Sequence, residues 1–125
     1  MKDEKGSDLR GRTREFALRV IRLYGALPKT TEAQVIGKQL LRSGTSVGAH
    51  YRESCRARST AEFISKIEGG LQELEESMYW MELLTEADIV PQDRMKEIIT
   101  EADELTAILV SCVKNAKNKP KGCNR

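Results

Sequence analysis

The sequence predicts an all-α protein, an up-down-up-down four-helix bundle. Three observations carry the prediction. Four stretches place apolar side chains at helical spacing, and three short breaks separate them. Aromatics make up only 5% of the 125 residues, prolines number three and charged residues reach 32%, a composition that suits long, charge-coated helices. No alternating run with a hairpin turn competes with this pattern. The length fits one compact domain.

The first helix is expected over residues 9–27. Leu9, Phe16, Val20, Leu23 and Leu27 form its apolar stripe, widened by Ala17 and Ile21, and Pro28 ends it. The second is expected over 31–56. Thr31 and Gln34 have the spacing of a capping box, and Ile36, Leu40, Val47 and Tyr51 then recur at intervals of four, seven and four. That rhythm passes straight through "RSGTSVGAHYRES" (Arg42 to Ser54), so this glycine- and serine-rich segment reads as helix. Ser59 and Glu62 form a second capping-box pattern before the third helix, residues 60–87. Its seam has two lines, Ile64–Leu71–Met78 and Ile67–Leu74–Met81, flanked by Phe63, Trp80 and Leu84. Gly69–Gly70 interrupts it at a propensity cost of ~1 kcal/mol per glycine. Pro91 suits the first turn of the fourth helix, residues 91–116. Met95–Ala102–Leu109 and Ile98–Leu105–Cys112 repeat the heptad there. Residues 1–8 and the basic tail 117–125 read as disordered.

Charge is segregated along the chain. Residues 9–58 hold 11 Lys/Arg against 3 Asp/Glu, residues 59–113 hold 3 against 13, and residues 114–125 hold five cations and no acid. Around the second helix, Lys38, Arg42, Arg52 and Arg56 share one stripe, and Arg58 lies just beyond it. The apolar residues face the other way. Gly37, Gly44 and Gly48 form a smooth lane on one flank, where another helix can approach closely, within the chain or from a neighbouring subunit. Three glycines in a lone helix would otherwise cost ~2–3 kcal/mol. A phosphate-binding loop is a poor match, since no lysine follows Gly48 and no strand precedes Gly44.

The segment from Ile36 to Leu84, "IGKQLLRSGTSVGAHYRESCRARSTAEFISKIEGGLQELEESMYWMELL", resembles the 23S rRNA-intervening-sequence proteins. It matches their "QLLRSGTSVGANYRE" segment with His50 in place of asparagine. It also keeps Arg58, Ser59, Glu62 and Phe63 of the next motif, and Leu71, Glu73, Glu76, Trp80, Leu83 and Leu84 of the third. The resemblance implies a left-handed four-helix bundle assembled as a ring-like homopentamer. Some family members are encoded inside insertions in ribosomal RNA genes. A related branch, the accessory variability proteins of diversity-generating retroelements, is strongly basic and binds nucleic acid. This chain is less basic, with a pI near 8.5.

Other chemistry finds little purchase in the residues. Cys55, Cys112 and Cys123 are odd in number and contain no CxxC pair, so they read as reduced thiols. One histidine, His50, makes a zinc site a poor expectation. No glutamate stands three residues before His50, so Glu73, Glu75 and Glu76 do not form a di-iron bundle motif with it. Ser46, Ser54 and Cys55 have only His50 as a conceivable base, and an interface role for His50 is the simpler expectation.

The expectation is therefore a non-enzymatic protein that self-assembles, most simply as a pentamer, with no cofactor, metal, membrane or small-molecule substrate. RNA or DNA is the expected partner. The cation stripe Lys38, Arg42, Arg52, Arg56 and Arg58, aided by arginines of the first helix and by the tail, would hold phosphates. Its rival use is pairing with the acidic third and fourth helices, as in a purely structural oligomer or protein–protein adaptor. Gly37, Gly44, Gly48, Tyr51 and Trp80 are the expected helix-packing or subunit-interface residues. The polar N-terminus, "MKDEKGSDLRGR", carries no apolar signal segment, and a cytoplasmic location is expected.

Overall fold

The structure, a computed structural model, describes residues 8–118. Four helices run in order: α1 (Leu9–Gly25), α2 (Thr31–Cys55), α3 (Thr60–Glu86) and α4 (Gln92–Lys117). Short turns make sequence neighbours antiparallel and adjacent, giving a four-helix bundle. The start of α1, the end of α2, the start of α3 and the end of α4 therefore share one end of the molecule.

The helix ends show how local chemistry fixes the elements. Asp8 accepts a hydrogen bond from the Gly11 N–H at 2.9 Å, so the segment read as disordered already caps α1 at its last residue. Lys117 likewise belongs to α4, and the remaining residues read as disordered, 1–7 and 119–125, lie outside the described residues. α1 stops at Gly25 rather than Leu27, because the Ala26 and Leu27 N–H groups tighten into i→i+3 bonds before Pro28. Thr30, not Thr31, caps α2, accepting from the Ala33 N–H. Gln34 closes no capping box. Its amide donates to the Pro28 carbonyl and its oxygen accepts from the Tyr24 hydroxyl, both at 2.9 Å, which staples the α1–α2 turn. Ser59 caps α3 as expected, and Glu62 returns a bond to the Arg58 N–H. Pro91 sits just outside α4 as its cap residue, so the helix begins at Gln92.

The core joins Phe16 and Val20 of α1, Leu40 and Val47 of α2, Leu74 and Met81 of α3, and Met95, Leu105 and Leu109 of α4. The two seam lines of α3 are unequal. Ile67, Leu74 and Met81 are buried, while Ile64, Leu71 and Met78 are only half-buried. Ile21 is not part of the α1 stripe: it turns outward, 46% exposed. Buried hydroxyls are satisfied locally or across the core. Ser43 and Ser77 bond to each other at 2.8 Å between α2 and α3, and Thr13 donates to the Leu9 carbonyl. Between α1 and α4, Arg12 bonds both Glu101 and Glu104, an arrangement that raises the Arg12 pKa further, chiefly through the Glu101 bond and against its burial.

Candidate nucleic-acid interface

The glycine lane of α2 is occupied by α1. A Cβ built at Gly44 would stand 2.8 Å from Val20 Cγ2, and one at Gly37 would stand 2.5 Å from Leu27 Cδ1. At Gly48 the nearest atom is Thr13 Oγ1, at 3.2 Å. "RSGTSVGAHYRES" is thus continuous helix, with glycine where the α1 side chains need the space. With α1 on this flank and α3 on the other, α2 leaves its remaining face to solvent.

That face carries the cation stripe, and the structure divides it. Arg42 pairs with Glu73 and Glu76 of α3 and with Gln39 of its own helix. The side chains of Lys38, Arg52, Arg56 and Arg58 are exposed, and none forms an ion pair among the described residues. Pairing with the acidic helices therefore accounts for one member of the stripe and leaves four charges in water. Arg52, Arg56 and Arg58 lie at the end of the bundle where α1 starts and α4 finishes. Arg10 lies close enough to Tyr51 for its charge to favour the phenolate. Lys114, in the last turn of α4, adds a further cation to this end.

Tyr51 is buried beneath this end of α2. Its burial, and then its hydrogen bond with Cys55, push the phenol well above its usual pKa. Trp80 is half-buried on α3, donates its indole N–H to Glu76 at 3.1 Å and leans on Tyr79. It shares that carboxylate with Arg42, so it belongs to the α2–α3 contact rather than to the free cations.

His50 explains a feature for which the sequence offered only a cost. Its ring lies on the α3 glycine pair: a Cβ at Gly69 would stand 2.9 Å from both His50 Cε1 and Nδ1, and one at Gly70 would stand 3.4 Å from His50 Cβ. The imidazole takes the place that a side chain at Gly69 would fill, while Gly70 lies in ordinary contact with the His50 Cβ. Its Nδ1 is buried with no hydrogen-bond partner among the described residues. Ser46 and Ser54 donate their hydroxyls to the Arg42 and Tyr51 carbonyls, four and three residues back. The only signal in the sequence for the His50 seat is a glycine pair inside the most regular heptad helix.

Among the described residues, no helix is long and apolar enough to cross a membrane. A four-helix bundle whose exposed cations Lys38, Arg52, Arg56 and Arg58 form no ion pair among the described residues defines the class: an all-α helical bundle with a charged surface. The chain belongs to the 23S rRNA-intervening sequence protein family, whose model matches residues 7–111. It is also similar to a solved structure from Bacteroides thetaiotaomicron, described as a protein of unknown function from the S23 ribosomal protein family. The two share 37% identity with a TM-score of 0.80, over 84% of this chain and 97% of that one. No curated protein matches the chain.

Proposed function

We propose that this protein is a non-enzymatic, self-assembling accessory protein that associates with RNA, ribosomal RNA in the first instance, through phosphate contacts. The observation that carries this reading is the exposed set Lys38 and Arg52 on α2, Arg56 at its C-terminal cap and Arg58 in the turn that follows, none of them in an ion pair among the described residues. Unpaired guanidinium groups on an ordered backbone match phosphate oxygens in pairs and need no rearrangement to do so. Contacts of this kind position a nucleic acid without reading its bases. The family name, with its reference to ribosomal RNA, agrees with this choice of partner.

Filter retention of a mixed RNA pool across a salt series tests the reading. Four phosphates held by these side chains give a log–log slope of roughly −3 to −4, so retention falls about 100-fold between ~50 and ~200 mM salt. Absence of retention at low salt, or retention indifferent to salt, contradicts it.

The Arg42–Glu73–Glu76 cluster favours a second, purely structural reading for that one residue. On this reading the stripe serves helix and subunit pairing alone, and RNA is never retained.

A further inference from the structure

Between the second half of α3 and the first half of α4 lies an open groove of about 1010 Å³. Its floor is apolar, made by Met78, Tyr79 and Ile99, with Tyr79 53% exposed. Its walls carry Glu75, Glu82, Glu86, Asp88 and Asp93, against a single cation, Lys96. None of these five carboxylates has an ion pair among the described residues, although seven other glutamates of the bundle do. An apolar floor between unpaired acids fits a helix that presents aliphatic side chains flanked by arginines.

The chain owns such a surface. On the outer face of α1, Arg14, Leu18, Ile21 and Arg22 fall within about 100° of one another, away from the buried Leu9, Thr13, Phe16 and Val20. Arg14 has no ion pair among the described residues, and Arg22 reaches Glu15 only at 3.9 Å with both side chains exposed. Ile21, 46% exposed, is a large aliphatic residue that the bundle itself leaves uncovered.

We infer that the groove receives the outer face of α1 from a second copy of this chain. Leu18 and Ile21 lie on Met78, Tyr79 and Ile99, and Arg14 and Arg22 meet the carboxylates of the walls. The two faces differ, so the contact is head-to-tail, and every copy offers one of each. It propagates until rotation closes a ring. The inference rests on the self-assembly reading above and names its surfaces.

The test is light-scattering mass over a range of protein concentrations for four chains: wild type, Arg14→Glu/Arg22→Glu, Glu82→Lys/Glu86→Lys, and the chain carrying all four changes. These four residues are exposed, so the fold is expected to persist, which circular dichroism checks. Each reversal alone places like charges face to face and weakens association about 100-fold or more. The combined chain restores opposite charges across the contact and recovers the wild-type mass. An oligomer that survives both reversals, or a combined chain that stays dissociated, overturns these surfaces while self-assembly stands. A wild type that is monomeric at every concentration overturns self-assembly itself and leaves the groove to a foreign basic segment.

Discussion

Replacing Gly44 by alanine asks whether the α1–α2 seam is as close as the structure shows. The new methyl group would meet three atoms of Val20, at 2.8, 3.0 and 3.2 Å. Val20 is fully buried and β-branched, so it has one helical rotamer and no free space into which to retreat. Overpacking of this kind costs roughly 1–3 kcal/mol, and these distances put it in the upper part of that range. Alanine recovers ~1 kcal/mol of helix propensity, leaving a net loss of about 1–2 kcal/mol. For a domain of this size that lowers Tm by about 4–8 °C. Gly25→Ala is the control: nothing lies within 4 Å of its Cβ position, so it shows the propensity gain without the clash. Thermal unfolding followed by circular dichroism reads both. A double-mutant cycle with Val20→Ala identifies the cause, because removing the two methyl groups of Val20 makes room for the one added. The coupling is expected at about 1–2 kcal/mol. A Gly44→Ala protein as stable as wild type, or a strictly additive cycle, refutes the packing argument.

Two further predictions follow from other contacts. Gly69→Ala is expected to lose about 1 kcal/mol in the wild-type background, where the methyl group meets the His50 ring, and to gain about 1 kcal/mol in a His50→Ala background, where only propensity remains. Urea unfolding of the four chains checks the reversal of sign, and loss of stability in both backgrounds contradicts it. Tyr51 makes a pH prediction: its folded pKa is raised above the unfolded value of 10, so its contribution is fully present below pH 10 and is lost as pH rises beyond it. Tyr51→Phe has no proton to lose and is expected to show a shallower decline in stability above pH 10. Identical slopes for the two proteins rule this out.

The architecture was legible because its signals lie within single helices. Apolar spacing located four segments, and the glycine lane on α2 announced a close neighbour before the neighbour was known. What escaped depends on register between helices. Arg42 looks equivalent to Arg52 and Arg56 on a helical wheel, and only the placement of Glu73 and Glu76 on α3 withdraws it from the free set. Gly69–Gly70 looked like a flaw in α3 because the ring that fills the gap belongs to α2. Ile21 read as a stripe residue from spacing alone, although Phe16 and Val20 fix the core direction of α1 and leave Ile21 outside it. The capping shift at Thr30 is a matter of one residue, settled by Gln34 bonding back to Pro28 instead of to the cap. The acidic groove has no local signature either, since its walls come from residues far apart on two helices.

The division of the stripe is where the account is most exposed, and salt-dependent RNA retention of two variants tests it. Arg52→Gln/Arg56→Gln removes two unpaired guanidinium groups, and the slope of log affinity against log salt is expected to flatten by about 1.5. Arg42→Gln removes one that already holds Glu73 and Glu76, and is expected to leave the slope unchanged. Equal effects from the two variants, or no effect from either, would contradict the account.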